Sequence, residues 1–158
     1  PDFRGDLVQV DRIIDAGPDV YNHNVETVPR LYREVRRQGR YHWAMEVLRR
    51  VAGRDPSILR KSGMMVGLGE TPDEVIAVLE DLRDAGCQAV TIGQYLRPTP
   101  QQVEVERYWE PREFQEVAVE GRRLGLPHLA SGPLVRSSYN AGEILSAIHR
   151  DREAPGRC

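Results

Sequence analysis

The residues of this chain best suited to chemistry stand together near its end, in the stretch Ser131-Gly132-Pro133-Leu134-Val135-Arg136-Ser137-Ser138-Tyr139. Glycine and proline direct the backbone here, so that Arg136, the two adjacent serines and Tyr139 are presented at a defined place. A simple turn does not require that combination of side chains. The spacing alone is nevertheless also typical of a tight loop that precedes a helix cap, and both interpretations stay open at this point.

Strands and helices alternate along the chain, as the hydrophobic periodicity of an α/β fold predicts. Strands are predicted at 20–22, 62–66, 89–92 and 128–130, and helices at 7–14, 29–35, 41–52, 72–82, 111–124 and around 144–148. The strand–helix–strand succession over 62–92 is a βαβ unit, whose strands run parallel with a right-handed crossover. We therefore predict part of a parallel barrel or of an open parallel sheet.

Polar side chains or bare glycines follow each predicted strand. In parallel α/β folds the ligand site lies beyond the carboxyl ends of the strands, so these residues are candidates for one site. In chain order they are Asn22, His23, Asn24 and Glu26; Gly67, Gly69 and Glu70; Gln94, Tyr95 and Arg97; and Arg136, Ser137, Ser138 and Tyr139. The residues by themselves predict an α/β domain that binds a small polar ligand.

Composition excludes several other classes of protein. The net charge is −2, with 40% hydrophobic and 29% charged residues, and this gives no reason to expect binding to nucleic acid or to a membrane. The two cysteines, Cys87 and Cys158, are too few for a multi-cysteine metal site within this chain. The four histidines fit no metal-ligand spacing, and His23 taken alone is more typical of a structural histidine with its hydrogen bonds satisfied.

Further residues are interpreted as structural. The arginines of 30–40 are expected on a solvated helix face, because Glu34 lies among them and the chain is acidic. Met64 and Met65 are expected in the core. The start at Pro1-Asp2-Phe3 suggests that the chain is a fragment of a longer protein. We expect the fragment to form a single domain over 1–158, with a flexible tail at 149–158.

Five motifs occur in the order in which they occur in the lipoyl synthase family, and the resemblance covers nearly the whole chain. They are Pro1-Asp2-Phe3-Arg4-Gly5, Asp19-Val20-Tyr21-Asn22-His23-Asn24-Val25-Glu26-Thr27, Lys61-Ser62-Gly63-Met64-Met65-Val66-Gly67-Leu68-Gly69-Glu70-Thr71, Gly93-Gln94-Tyr95-Leu96 and Gly132-Pro133-Leu134-Val135-Arg136-Ser137-Ser138-Tyr139. The chain resembles the carboxyl-terminal half of that family.

The resemblance implies a partial (β/α) barrel of the radical S-adenosylmethionine (SAM) enzymes. It implies insertion of two sulfur atoms, at carbons 6 and 8 of an octanoyl group on a lysine of a lipoyl carrier domain. One 4Fe-4S cluster would bind SAM and cleave it to a 5′-deoxyadenosyl radical, and a second, auxiliary 4Fe-4S cluster would supply the sulfur. The implied partners are octanoylated carrier domains of 2-oxoacid dehydrogenases and of the glycine cleavage H protein, and a reductant such as ferredoxin or flavodoxin. The implied location is the cytoplasm, or the mitochondrion in a eukaryote.

Residue by residue, the resemblance assigns SAM contacts to the first three loops and cluster chemistry to the fourth. The implied SAM contacts are Asn22, His23, Asn24, Glu26, Gly67, Gly69, Glu70 and Gln94. Ser138, the second serine, matches an unusual oxygen ligand of the auxiliary cluster, which is harder and more easily exchanged than a thiolate. Arg136 would steady a substrate carboxylate or the negative charge of the cluster.

The sequence departs from the family in one respect, because the two cysteine triads that hold the clusters are absent. Cys87 and Cys158 match no triad position, so we expect this chain alone to be inactive. Two alternatives therefore stay open. One is a non-catalytic α/β module that pairs with a chain carrying the cluster cysteines, and the other is an unrelated α/β-barrel enzyme that acts on a small phosphorylated substrate.

Overall fold

A computed structural model describes residues 2–126, 128–138, 142 and 146. Along these residues five α-helices and four strands alternate: α1 (Leu7–Asp15), β1 (Val20–Asn22), α2 (Tyr32–Val35), α3 (Tyr41–Arg54), β2 (Leu59–Val66), α4 (Pro72–Asp84), β3 (Ala89–Gln94), α5 (Pro111–Arg123) and β4 (His128–Gly132). Short 3-10 turns occupy Phe3–Gly5 and Pro29–Leu31. Of the helix predicted around 144–148 only Ser146 is described, and Tyr139 and the predicted tail at 149–158 lie outside the described residues.

The four strands form one parallel sheet in the order β1-β2-β3-β4, so neighbours in sequence are neighbours in space. The register places Lys61 beside Ala89, Gly63 beside Thr91, and Met65 beside Gly93. This arrangement confirms the α/β prediction, and it is consistent with part of a TIM-like barrel.

The helices begin where their capping residues stand. The Val8 amide donates to Asp6 Oδ1 at 3.0 Å at the start of α1. Thr71 and Glu74 form a capping box at the start of α4, where Glu74 N donates to Thr71 Oγ1 (3.2 Å) and Thr71 N donates to Glu74 Oε2 (2.8 Å). Local chemistry therefore fixes the point at which the chain enters each of these helices.

Helices α3, α4 and α5 cover one face of the sheet, and the main core lies between them. Its buried members include Leu48, Met64, Val66, Val78, Leu79, Val90, Ile92, Phe114 and Leu129. A second cluster under α1 and α3 joins Val10, Ile14, Tyr21, Val47, Val51 and Ile58. Because side chains alternate along a strand, the opposite face of the sheet is left to different residues.

Some predicted boundaries are wrong by a few residues. β2 begins at Leu59 rather than at residue 62, because Arg60 and Lys61 are buried although their charges suggest a loop. α3 continues through Gly53 to Arg54. The predicted helix at 29–35 is a 3-10 turn followed by a single helical turn, α2. Over the residues with assigned structure, no helix is long and apolar enough to cross a membrane.

Candidate functional site

The sheet face opposite the main core, called here the inner face, carries Val20 of β1, Leu59, Lys61, Gly63 and Met65 of β2, Ala89, Thr91 and Gly93 of β3, and Ala130 and Gly132 of β4. Towards the amino ends of the strands it is closed by a small apolar cluster of Val20, Leu59 and Ala89. Towards the carboxyl ends it consists largely of glycine, alanine and threonine. Small side chains leave room at the end of the sheet where parallel α/β folds bind their ligands.

A cavity of about 180 Å³ lies above these small side chains, at the carboxyl ends of the strands. The residues around it come from the loop after β1, the middle strands and the segment after β4, and include Asn24, Glu26, Gly63, Thr91, Arg136 and Ser137. This volume is below the range of about 300–1,000 Å³ that is common for pockets that enclose a whole ligand. The cavity can therefore hold part of a larger ligand against the chain.

The loop after β1 stays attached to β2 by backbone hydrogen bonds. His23 N donates to Lys61 O (3.0 Å), Glu26 N donates to Gly63 O (3.1 Å) and Met65 N donates to Glu26 O (2.8 Å). Glu26 adopts a positive φ of 66°, which is uncommon for a residue other than glycine. Two of the predicted site residues of this loop, Asn24 and Glu26, line the cavity, whereas Asn22 is exposed.

Asn24 carries a buried Oδ1 without a hydrogen-bond partner, and this atom faces Gly63 of the inner face. A Cβ added to Gly63 would stand 3.2 Å from Asn24 Oδ1 and 2.6 Å from Thr91 Oγ1. An unpaired buried carbonyl oxygen is costly, and a donor from a bound ligand would satisfy it. Asn24 therefore fits a site for a polar ligand.

His23 is buried at 5% exposure, and its Nε2 likewise has no hydrogen-bond partner among the described residues. The nearest acid is Asp2, whose Oδ2 lies 3.8 Å away. Burial is the main cause that lowers the pKa of His23 to about 4, and nearby positive charge, including the Arg36 guanidinium, acts in the same direction, so the imidazole is neutral at pH 7. The interpretation of His23 as a structural histidine with its hydrogen bonds satisfied is therefore not confirmed.

The arginines of 30–40 were expected on a solvated face, which holds for the exposed Arg30 and is wrong for Arg36. Arg36 is half-buried, donates from Nη1 to Asn24 O (3.0 Å) and lies 3.6 Å from Glu26 Oε1. Arg30 donates from Nη2 to Gly69 O (2.9 Å) and makes a bidentate pair with Glu74. The backbone leaves the helical conformation at Arg36, directly after the single turn of α2, and its side chain returns to the loop that follows β1.

The glycine turn (residues 67–70) follows β2 and depends on its own carboxylate. Gly67 and Gly69 have φ angles of 99° and 106°, which favour glycine. Glu70 is 4% exposed and accepts hydrogen bonds from Gly67 N (2.6 Å) and Leu68 N (2.9 Å). The turn does not line the cavity, and the hydrogen bonds of Glu70 shape the turn.

Gln94, at the end of β3, lines the cavity with its neighbours, and its amide is hydrogen-bonded within the chain. Its Nε2 donates to Arg107 O (3.1 Å), and its Oε1 accepts from Trp109 N (2.9 Å). Gln94 thereby ties the 107–109 segment to the sheet. Glu70 and Gln94 are thus predicted site residues whose polar atoms already have partners in the chain.

Residues 133–138, called here the serine segment, fold back over the inner face. Gly93 is needed for this path, because a Cβ at that position would overlap the backbone oxygen of Val135. Val135 N donates to Gly132 O (3.1 Å), and Arg136 Nη1 donates to Val135 O (2.7 Å). Arg136 and Ser137 line the cavity, and Ser138 is exposed beside it. The structure thus brings Asn24, Glu26, Gln94 and Arg136 to one cavity, and Ser138 comes directly after the lining residue Ser137 in the chain.

Lys61 contacts the same segment and was missed by the sequence interpretation. It is 2% exposed on the inner face, and its Nζ donates to Ser137 O at 2.6 Å. Burial lowers the pKa of its ammonium group. One signal in the sequence could have identified it, because Lys61 is the only lysine among 22 basic residues.

Cys87 and Ser138 stand at opposite ends of the sheet. Cys87 is buried before β3, with its Sγ 3.5 Å from Arg60 O and 3.3 Å from Ala89 O. Within the described part of the chain no group of three or more His, Cys, Asp or Glu side chains could hold a metal ion. Ser138 can therefore supply only one ligand to a cluster, and the others must come from elsewhere.

Comparison with known proteins decides the family. A sequence model described as the Radical SAM superfamily matches residues 1–93. The chain belongs to the radical SAM superfamily. The interpretation as an unrelated α/β-barrel enzyme is therefore wrong, and the α/β architecture with its parallel sheet is consistent with the partial barrel of radical SAM proteins.

Curated lipoyl synthases are among the proteins most similar to this chain. The chain is 53% identical over 146 residues to that of Caldanaerobacter subterraneus subsp. tengcongensis, which covers 92% of this chain and 51% of the relative. It is 51% identical over 150 residues to that of Rubrobacter xylanophilus, covering 95% and 47%, and 48% identical over 160 residues to that of Xanthomonas oryzae pv. oryzae, covering 99% and 44%. The similarity confirms the predicted resemblance, and the chain spans about half the length of the relatives it matches.

Proposed function

We propose that this chain is part of a lipoyl synthase, which inserts two sulfur atoms at carbons 6 and 8 of an octanoyl group on a carrier-domain lysine. One observation carries the proposal beyond family membership. The serine segment lies over the same cavity as the loop after β1, so the proposed ligands of cofactor and cluster stand side by side. Sulfur insertion needs that proximity, because the radical and the sulfur donor act on the same substrate carbon.

The residues around the cavity fit a polar cofactor such as SAM. Asn24 would donate or accept through its amide, whose buried oxygen has no partner in the described chain, and Glu26 would bind a hydroxyl or ammonium group. Asn22 and His23 belong to the same proposed set. Gly67, Gly69, Glu70 and Gln94 would act mainly through backbone shape, because the carboxylate and the amide are used within the chain. When bound, SAM and its cluster supply the radical that abstracts hydrogen from an unactivated carbon.

Ser138 is the proposed oxygen ligand of the auxiliary cluster, and Arg136 the proposed contact to a substrate carboxylate or to the charge of the cluster. Ser138 is exposed at the edge of the cavity, and the Arg136 guanidinium is anchored to the segment by its bond to Val135 O. The remaining ligands of both 4Fe-4S clusters would come from residues beyond this chain.

The partners follow from the same proposal. The substrate would be an octanoylated carrier domain of a 2-oxoacid dehydrogenase or of the glycine cleavage H protein, and electrons would come from ferredoxin or flavodoxin. The reaction would take place in the cytoplasm, or in the mitochondrion of a eukaryote. The alternative is a non-catalytic module paired with a chain that carries the cysteines, because Cys87 is buried and hydrogen-bonded within this chain.

The test uses the complete protein that contains this chain, reconstituted anaerobically with iron and sulfide. Lipoyl formation is measured on an octanoylated carrier domain with SAM and reductant, and the clusters are followed by iron content and Mössbauer spectroscopy. Ser138→Ala should remove the auxiliary cluster, which halves the bound iron, whereas Ser137→Ala should keep both clusters. If Ser138→Ala leaves the auxiliary cluster and lipoyl formation intact, the serine assignment is wrong. Failure of the unmodified protein to form lipoyl groups would favour the non-catalytic module.

A further inference from the structure

Lys61 occupies an unusual position for a charged residue. It lies in the middle of β2 on the inner face, 2% exposed, between the apolar layer of Leu59 and the cavity residue Gly63. Lysine is rarely buried to this extent unless its ammonium group has specific partners. The chain uses arginine at all its other basic positions. The presence of lysine at this single position therefore indicates a role that arginine cannot fill.

The geometry shows what the ammonium group does. Lys61 Nζ donates to Ser137 O at 2.6 Å, and the two residues are 76 positions apart in the chain. The bond spans from the sheet to the serine segment, and the acceptor is the peptide oxygen next to Ser138. A charged donor on a carbonyl oxygen gives one of the stronger hydrogen bonds in proteins.

A second contact holds the same segment on the neighbouring strand. Gly93 of β3 pairs in register with Met65, two residues after the Gly63–Thr91 pair. A Cβ at position 93 would overlap the backbone oxygen of Val135, so the two backbones are in close contact. The segment is therefore seated on β3 through Val135 and bonded to β2 through Ser137. Two fixed points on either side of Arg136 define the direction in which the chain leaves towards Ser138.

We propose that Lys61 is a positioning residue that fixes the peptide of Ser137 and thereby aims the hydroxyl of Ser138 at the auxiliary cluster. The role of Ser138 rests on the proposed function, whereas the bond to the segment does not. Lysine suits the position because its ammonium group is compact and reaches one oxygen along a narrow path. The planar guanidinium of arginine is wider and presents five donors in a rigid fork.

The variant that tests the bond is Lys61→Met in the complete protein, which keeps the length of the side chain and removes the charge. Hydrogen exchange in 134–138, reported by the Val135 amide that donates to Gly132 O, should become faster by about tenfold or more, the factor expected when one charge-assisted hydrogen bond is lost. The matched control is Arg60→Met, the neighbouring buried cation, whose guanidinium donates to Pro56 O, Ile58 O and Gly86 O instead. Its exchange changes should appear around 56–58 and 86, not in the serine segment.

The second readout is the auxiliary cluster, through its Mössbauer and electron paramagnetic resonance spectra after reconstitution. Lys61→Met should perturb the cluster signature in the direction of Ser138→Ala, with the radical SAM cluster retained. If Lys61→Met does not fold, Lys61→Gln, which keeps a shorter donor, is measured in the same way and should show a smaller change of the same kind.

The outcomes separate this inference from the proposed function. Unchanged exchange in 134–138 overturns the bond and the positioning role, whatever Ser138 does. Faster exchange, together with an auxiliary cluster that responds to Ser138→Ala but not to Lys61→Met, overturns the positioning role alone. If exchange becomes faster but the auxiliary cluster changes in neither Lys61→Met nor Ser138→Ala, Ser138 is not a cluster ligand, and the positioning role proposed for Lys61 is refuted with it. Faster exchange, with the auxiliary cluster altered in the same way by Lys61→Met and by Ser138→Ala and the radical SAM cluster retained, supports the inference.

Discussion

Replacing Glu70 tests whether the glycine turn is built by its own carboxylate. The two carboxylate oxygens accept separately, one from Gly67 N at 2.6 Å and the other from Leu68 N at 2.9 Å, and the side chain is 4% exposed. Glu70→Ala leaves two buried N–H groups without acceptors, at about 1–3 kcal/mol each. We therefore expect the free energy of unfolding to fall by roughly 2–6 kcal/mol.

Glu70→Gln gives an intermediate case because only one of its two terminal atoms can accept. One N–H keeps its acceptor and the other meets an NH₂ group, so a loss of about 1–3 kcal/mol is expected. The assay is urea unfolding of the three proteins, with a common slope of free energy against urea as the condition for comparing them. The control is Glu106→Ala, an exposed carboxylate close to Gly69, which should change stability by less than about 0.5 kcal/mol.

Two results would refute the reasoning. If Glu70→Ala unfolds within about 0.5 kcal/mol of the unmodified protein, the two amides do not depend on the carboxylate. If Glu70→Ala keeps its stability and loses SAM affinity, measured by equilibrium titration, Glu70 contacts the cofactor directly and its bonds to the turn are secondary.

Two further predictions concern ionisation. The Arg30 guanidinium, with further hydrogen bonds at Thr71, lowers the pKa of Glu74 to about 2, so the pair stabilises the fold above the unfolded value of 4.5 and loses its effect as the pH falls from 4.5 to 2. Since Arg30 is largely exposed, the effect should be at most about 1 kcal/mol, and urea midpoints measured between pH 7 and pH 3 should fall less for Glu74→Gln than for the unmodified protein. Burial raises the pKa of Cys87 to about 12, so iodoacetamide at pH 8 should label it only after unfolding; rapid labelling of the folded chain, read by mass spectrometry, would contradict its burial.

Much of the architecture follows from patterns that the sequence states locally. The capping residues Asp6 and Thr71 stand where α1 and α4 begin, and three apolar or β-branched runs mark β1, β3 and β4 within two residues. β2 is the exception, because Arg60 and Lys61 interrupt its apolar pattern. Their burial depends on carbonyl oxygens supplied by distant segments, which no local pattern records.

The candidate site could be predicted as a set of loops but not as a set of contacts. Asn24, Glu26 and Arg136 do meet at one cavity, as the common edge of a parallel sheet requires. Glu70 and Gln94 have the residue types of ligand contacts, yet their hydrogen bonds run to backbone groups of neighbouring turns. The inward turn of Arg36 depends on its non-helical backbone angles just after α2 and on a distant acceptor, Asn24 O, which no local pattern records.

The bond between Lys61 and Ser137 also bears on the order in which the molecule assembles. Neighbouring strands of the sheet are joined through one βα unit of about 30 residues, whereas this bond closes a loop of 76 positions. The longer closure costs on the order of 1 kcal/mol more in chain entropy, so the serine segment should dock after the sheet has formed. The protein would then pass through an intermediate in which the sheet has formed and the serine segment does not yet cover the inner face. In that intermediate an iron–sulfur cluster would have open access to the inner face. Pulse-labelling hydrogen exchange during refolding checks this order, with protection of β2 and β3 preceding that of 134–138.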